Sequence, residues 1–278
     1  SGKVAGLRVL QKTAEPGEYD TEFDIRGMGA PLIIIDGVAS DEAAFNRINA
    51  NDIESLSVLK DASAGAVYGV KAANGVVVVK TKRGVKGKTV FNYKGTYGRQ
   101  YPLNSLETMS AYEFMSMEND RINLKQGVWG VGHSSEASLQ EALDGGSTDW
   151  YGSAINDYAP QMQHDISASG GSEKVKYFMS LGYMEQEGFW KTNDLNYDKL
   201  TLRSNITAQL TDNLEAELFV STMADQKDQP YTDAWEVFKG VYMQFPHWPL
   251  YANDNPDYLQ AVPDLNNPLA VTNKDIGG

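Results

Sequence analysis

Strict alternation of apolar and polar residues marks the chain between positions 89 and 224. Over Leu200–Leu210 the even positions are mostly apolar, whereas the odd positions include Arg203 and Asn205. Four further segments show the same alternation: Phe91–Tyr97, Met162–Ser169, Val175–Tyr183 and Leu214–Ser221. A period of two places apolar side chains on one face of a β-strand and polar side chains on the other. The pattern predicts about five strands, each with one apolar face.

The connections between these strands alternate in length. Thr211–Asn213 and Ser169–Lys174 are short turns, whereas residues 100–161, 185–198 and 225 onward are long. Short periplasmic turns alternating with long extracellular loops are typical of outer-membrane β-barrels. A soluble β-sandwich also has alternating strands, but the connection lengths favour the barrel. Since about five strands cannot close a barrel, we expect the remaining wall strands to lie outside this chain.

The pattern of short strands and a short helix in residues 1–88 predicts a separate α+β domain. Three short segments have the composition of strands: Pro31–Ile35, Ser55–Leu59 and Val76–Val79. Asn51 and Asp52 offer turn or helix-capping oxygens, and Asp61 is predicted to cap a short helix over Ala62–Tyr68. The segment Gly27-Met28-Gly29 lacks the spacing of a dinucleotide-binding loop and precedes a strand, which argues against a nucleotide fold.

Composition excludes several classes of protein. The 278 residues contain no cysteine, which excludes a disulfide scaffold, a thiolate metal site and a cysteine nucleophile. A formal charge of −13 argues against a nucleic-acid partner. No apolar run is long enough for a membrane helix. Because the chain starts at Ser1 without an initiator Met or signal peptide, we interpret it as a piece of a longer protein.

No residue constellation predicts catalysis or a metal centre. His133, His164 and His247 are too scattered for a zinc site, and Ser169–Ser172 does not match a nucleophile turn. The loop Asn253–Asp257 offers hard oxygens that suit Ca²⁺, but it lacks the glycine and distal Glu of an EF-hand and is interpreted as a turn. The sequence therefore predicts no enzyme, no cofactor and no metal site.

A series of motifs in the first 88 residues is the most specific feature of the chain. In order, they are Ile25-Arg26-Gly27, Pro31–Val38, Asn51–Ser55, Val58–Ser63, Tyr68-Gly69, Ala72–Val76 and Thr81–Gly84. This series resembles the plug domain of TonB-dependent outer-membrane transporters of the SusC/RagA branch. The resemblance is close over about the first 100 residues and looser to about residue 225.

The resemblance implies a mainly β fold, with an N-terminal α+β plug domain followed by part of a transmembrane antiparallel β-barrel of about 22 strands when complete. The plug would span residues 1–88 and could lack its own start. Residues 89–224 would form the first barrel strands with extracellular loops. Residues 225–278 would form a long extracellular loop, with the barrel continuing beyond this chain.

The same resemblance implies function. The whole protein would import oligomeric nutrients, glycans or peptides, across the outer membrane of a Gram-negative bacterium. Its partners would be outer-membrane lipid, a SusD-like surface lipoprotein and the TonB complex, which would contact a segment outside this chain. The alternatives are a non-transporting outer-membrane receptor or adhesin on the same scaffold, and a secreted carbohydrate-binding or hydrolytic protein.

Candidate site residues follow from the resemblance. Arg26 and Lys71 are candidates for anchoring the plug to acidic groups of the barrel wall. The family usually has Arg where this chain has Lys71, and lysine cannot make the two-pronged contact of a guanidinium, so this anchor would be looser. The alternative is that Lys71 is a solvated turn residue. Six residues are candidates for substrate binding: Met28, Gly29, Trp129, Trp150, Tyr151 and Trp248. For the loop aromatics the alternative is buried packing.

Overall fold

A computed structural model describes residues 7–11, 15–18, 21–25, 27, 29–59, 68–103, 107–126, 133–262 and 266–273. The chain forms two compact units, each described here by itself. The first comprises Ser1–Gly98, Gln161–Gln186 and Tyr197–Lys227, and the second comprises Arg99–Pro160, Glu187–Asn196 and Asp228–Gly278. The helix predicted over Ala62–Tyr68 falls, apart from Tyr68, outside the described residues.

The described residues of the N-terminal domain, which belongs to the first unit, include six short strands. These are β1 (Leu7–Gln11), β2 (Thr21–Ile25), β3 (Leu32–Ile35), β4 (Val38–Ser40), β5 (Ile53–Leu59) and β6 (Val76–Thr81). β1 and β2 form an antiparallel pair, and the other four form a sheet in the order β4-β3-β6-β5. Helix α1 (Glu42–Asn46) and two 3-10 turns, Ala50–Asp52 and Gly69–Ala72, connect the strands.

An apolar core holds this domain together. β3 and β6 are parallel neighbours, with Ile33 beside Val77. Ile33, Val77, Val79, Phe23 and Ile25 form one buried cluster. A second cluster, on Ile34, Ala72 and Val76, contains the alternate residues of the same two strands. Burial of successive side chains on both faces explains why the predicted strands read as continuous apolar runs.

Five long strands form the second sheet of the first unit. They are β7 (Gly87–Gln100), β8 (Ala159–Gly171), β9 (Val175–Glu187), β10 (Asn196–Thr211) and β11 (Leu214–Asp228). They lie side by side in chain order. β8 and β9 are antiparallel, with Asp165 opposite Gly182. All five alternating segments identified in the sequence are strands.

The two faces of this sheet are the reverse of those in a water-soluble protein. On β10, Leu200 and Leu202 are 45% and 43% exposed, whereas Thr201, Arg203 and Asn205 are only 8%, 5% and 2% exposed. β9 repeats the arrangement, with its apolar odd positions exposed. On these central strands the apolar rows therefore point outward and much of the polar row is buried, whereas the edge strands β7 and β11 are exposed on both faces. Among the described residues, no helix is long and apolar enough to cross a membrane.

Helices separated by irregular segments make up much of the regular structure described in the second unit. The unit contains α2 (Ala111–Gln126), α3 (Glu136–Gly145), α4 (Trp150–Ala154), α5 (Ala234–Met243), a 3-10 turn at Ala252–Asp254 and α6 (Pro268–Val271). Trp150, Trp190, Leu195, Val237 and Val241 belong to its apolar core. These core residues come from all three long connections of the predicted strand pattern, so the connections fold together and are more than separate loops.

Candidate functional site

The N-terminal domain contacts the polar face of β8, β9 and β10 through a small set of buried and half-buried polar residues. We call this contact the domain–sheet interface. From the domain it contains Asn49, Asn51, Asp52 and Thr81, and from the sheet Asp165, Ser180, Arg203 and Asn205. All of these residues belong to the first unit.

Asp52 and Arg203 form the ionic part of the interface. Asp52 is 5% exposed, and its Oδ2 accepts a hydrogen bond from Ser180 Oγ at 2.8 Å. Arg203 Nε lies 3.5 Å from the same oxygen. Burial raises the pKa of Asp52, although the bond from Ser180 and the charge of Arg203 act in the opposite direction. The ion pair therefore compensates only part of the cost of removing both charges from water.

Two amides of the domain bind one carboxylate of the sheet. Asn49 Nδ2 donates to Asp165 Oδ1, and Asn51 Nδ2 donates to Asp165 Oδ2 at 2.6 Å. The turn is preorganised for this contact because Asn49 Oδ1 accepts the Asn51 backbone N–H at 2.9 Å. Gly182, opposite Asp165, makes room, since a Cβ there would lie 2.3 Å from Asn49 Nδ2. The sequence predicted Asn51 and Asp52 as capping residues, whereas Asn49 is the cap and the other two side chains face the sheet.

The end of β6 makes the third contact. Asn205 Nδ2 donates to Thr81 Oγ1 at 3.0 Å and to the Lys82 carbonyl at 2.7 Å. Thr81 is itself held by Asp36, which accepts from its backbone N–H and its hydroxyl at 2.9 and 2.6 Å. Arg203 Nε and Asn205 Oδ1 are buried with no hydrogen-bond partner among the described residues. The interface is thus a buried polar network that is not fully satisfied.

Cavities border the interface on two sides. One of about 230 Å³ is lined by Asn49, Thr201 and Lys199, among others. Another of about 650 Å³ is lined by Arg47, Arg203 and other residues. Between these cavities, the described contacts that hold the domain on the sheet include the directional polar bonds given above.

The predicted anchoring residues can be followed only in part. Arg26 lies outside the described residues. Lys71 is exposed in the 3-10 turn Gly69–Ala72, and no ion pair of Lys71 occurs within the described part of the chain. The anchoring role of both residues stays a prediction. The domain–sheet interface instead has the acidic group, Asp52, on the domain and the guanidinium, Arg203, on the sheet.

Of the substrate-binding candidates, Met28 and Trp129 lie outside the described residues. Gly29 is exposed, and its N–H donates to Asp24 Oδ1 at 3.1 Å. The substrate-binding role of these three residues stays a prediction.

Trp150, Tyr151 and Trp248 come together in the second unit. Trp150 is 4% exposed and its Nε1 donates to the Phe245 carbonyl at 3.1 Å, so its ring is part of the core. Trp150 and Tyr151 line a cavity of about 360 Å³, and burial raises the pKa of the Tyr151 hydroxyl. Trp248 packs against the same core. Their substrate-binding role also stays a prediction.

Comparison with known proteins identifies the relatives of this chain. The family model for the TonB-dependent receptor plug domain matches residues 1–76. The chain is 31% identical over 271 residues to the TonB-dependent receptor SusC of Bacteroides thetaiotaomicron, a match that covers 92% of this chain and 25% of SusC. It is 31% identical over 229 residues to the TonB-dependent receptor P26 of Formosa agariphila, covering 77% of this chain and 22% of P26.

A solved structure of the RagAB peptide transporter superposes with a TM-score of 0.77 at 25% identity, over 96% of this chain and 34% of the RagAB chain. The chain therefore spans about a quarter of the length of the curated relatives it matches. These similarities define it as part of a TonB-dependent receptor. Within that class it belongs to the SusC/RagA type. The predicted family and fold class, a plug domain followed by antiparallel barrel strands, are confirmed.

Proposed function

We propose that the receptor containing this chain is an active transporter that imports oligomeric nutrients, glycans or peptides, across the outer membrane of a Gram-negative bacterium. The relatives support this proposal, since SusC is a TonB-dependent receptor and RagAB is described as a peptide transporter. The observation that carries it is the domain–sheet interface, in which a folded domain is held by polar bonds against the inner face of strands whose apolar rows point outward.

A polar interface suits a plug that must move. An intramolecular hydrogen bond contributes about 0.5–1.5 kcal/mol, or about 1.5–3 kcal/mol when one partner is charged, because water replaces the lost partner. Separating the plug from β8–β10 would break such bonds, and the apolar core of the plug would not need to open. Energy would come from the TonB complex. Substrate would favour plug release only by binding the two plug states with different affinity.

The remaining assignments belong to the same proposal. A SusD-like surface lipoprotein would capture substrate above the barrel. Arg26 and Lys71 would add to plug anchoring. Substrate contacts would come from the plug loop and the long connections, through Met28, Gly29, Trp129, Trp150, Tyr151 and Trp248.

Uptake in whole cells tests the proposal. Cells lacking the receptor gene, and the same cells complemented with it, would be given fluorescent oligosaccharides from a polysaccharide digest or fluorescent oligopeptides from a protein digest. We expect receptor-dependent accumulation of one of the two pools, abolished by an uncoupler or by deletion of TonB. Receptor-dependent binding at the cell surface without accumulation would contradict transport and favour the non-transporting receptor or adhesin.

A further inference from the structure

A second contact of the plug lies at the end of the sheet opposite the short turns. Residues Glu15–Glu18 form a turn closed by a bond from the Glu18 N–H to the Glu15 carbonyl at 3.1 Å. Lys227 Nζ, near the end of β11, lies 2.9 Å from Glu15 Oε1 and 2.8 Å from Glu18 Oε1. The Lys227 and Glu15 side chains are only 19% and 21% exposed. One lysine therefore holds both ends of the turn, in a partly buried setting at Glu15 and at an exposed side chain, 43% accessible, at Glu18.

The turn is also fitted sterically to the neighbouring strand. Gly17 has φ +77°, and a Cβ at this position would lie 2.5 Å from Cδ2 of Tyr197. Tyr197 is buried on β10, and its hydroxyl lies 3.3 Å from Asp225 Oδ2 on β11. Only glycine combines this backbone conformation with so close an approach of the ring. Lys227 at the end of β11 and Tyr197 at the start of β10 thus form one binding surface for the turn, which we call the seat of the turn.

Lys227 and Tyr197 are each adjacent in sequence to a segment of the second unit. Lys227 is followed directly by Asp228, where the connection carrying α5 begins, and Tyr197 follows directly on the connection Glu187–Asn196. On the plug side, the turn precedes β2, whose Phe23 and Ile25 belong to the plug core. A displacement of either connection therefore reaches the seat of the turn through a few covalent bonds.

We propose that Lys227 is a positioning residue that couples the long connections to the plug, by holding the Glu15–Glu18 turn in register with the ends of β10 and β11. The inference rests on the proposed transport function and deepens it, since it names a route by which events in the long connections bias the plug. Both ion pairs of this contact share the Lys227 ammonium, so one small shift of β11 weakens both of them.

Hydrogen exchange on the full-length receptor in lipid nanodiscs tests the contact without any substrate. In Lys227→Met, which keeps the length of the side chain and removes its charge, we expect β2 amides to exchange at least about tenfold faster, the factor for losing one hydrogen bond to a charged group. Lys227→Arg should retain the parental rate. Lys239→Met is the matched control, because it removes a Lys–Glu pair, to Glu236, that is confined to α5. Parental exchange in Lys227→Met would overturn the proposal.

A double-mutant cycle tests the coupling itself. Val241→Ala removes buried methyl groups from α5 in the core of the second unit. We expect it to accelerate exchange in β2 of the parent and to have no added effect in the Lys227→Met background. An equal effect in both backgrounds, or none in the parent, would overturn the coupling role. Because the readout is exchange and not uptake, such a failure would leave the transport proposal standing if uptake is observed.

Discussion

The two sheets of the first unit bury opposite kinds of side chain. The plug sheet buries Ile33 and Val77 in an apolar core, as a water-soluble domain does. The five-stranded sheet buries Arg203 and Asn205 and exposes Leu202. The difference is the one expected if two different solvents act on one unit. The plug folds against water, whereas the exposed apolar rows of the strands are suited to lipid.

The boundary between these two regimes is the domain–sheet interface. It is buried like a core, yet it is made of carboxylates, amides and a guanidinium. A domain that stays folded while it detaches needs this combination, because its stability and its attachment then depend on different residues. The predictions below separate these two properties, in order of decreasing effect.

The largest effect is expected from breaking the buried ion pair. Asp52→Ala leaves the guanidinium of Arg203 buried without its carboxylate, which typically costs about 3–5 kcal/mol. We expect the free energy of plug detachment, measured in the full-length receptor by hydrogen exchange of the Asp52 and Lys82 amides at the interface, to fall by this order, whereas exchange of the β6 amides reports opening of the plug core. The double variant Asp52→Ala/Arg203→Met should recover most of the loss because no charge remains buried. A double variant as unstable as the single one would refute this account of the interface.

A matched pair of isoleucines tests the contrast between the two sheets. Ile33 is buried in the plug core and Ile166 is 52% exposed on β8. Ile33→Ala should lower the free energy of plug opening by about 2–5 kcal/mol, the usual cost of a large-to-small change in a core. Ile166→Ala should leave it within about 0.5 kcal/mol. If the two substitutions had equal effects in the same exchange measurement, the proposed contrast between the buried apolar residues of the plug sheet and the exposed ones of the five-stranded sheet would be refuted.

The smallest expected effect is the dependence of plug stability on pH. Burial raises the pKa of Asp52 above its ordinary value of 3.8, while Ser180, Arg203 and Lys82 lower it and Asp165 adds to the increase. The docked plug therefore holds this proton more tightly than the unfolded chain does. The resulting stability is fully present below the ordinary pKa and is lost as pH rises through the raised value.

Relative to Asp52→Asn, which does not titrate there, plug stability should fall as pH increases from about 4, by at most about 1.4 kcal/mol per pH unit. Protection factors corrected for intrinsic exchange measure this difference. The prediction would be contradicted if the stability of the parent relative to Asp52→Asn were constant or increased with pH.

Local pattern was sufficient to predict the five long strands, β3, β5 and β6, whereas β1, β2 and β4 were not predicted. The period of two gave all five long strands, and apolar runs gave β3 and β6, because these signals depend only on which faces a strand buries. The polar row containing Arg203 was also assigned correctly to a single face. The motif series identified the family, which strand periodicity alone leaves open.

Pairing across the chain was beyond sequence reasoning. Arg203 on a buried polar row requires an acidic partner, but the sequence offers 37 carboxylates and no local signal selects Asp52. Asp52 follows Asn51 in a turn motif, so a capping role was the natural interpretation, and only the packing of the turn against β9 and β10 shows otherwise. The shared core of the long connections was missed for the same reason, since Trp150 and Val241 meet only after folding.

The central claim is that the strands have an outward face in contact with lipid and an inward face covered by the plug. These 278 residues contain no cysteine, so single cysteines at positions 200–206 of the full-length receptor can carry nitroxide labels on β10. We predict that labels at Leu200 and Leu202 in nanodiscs are accessible to oxygen and protected from a water-soluble relaxation agent, and that a label at Thr201, which leaves the Asp52–Arg203 pair in place, is protected from both. Labels at Leu200 and Leu202 that are relaxed by the water-soluble agent would contradict the account.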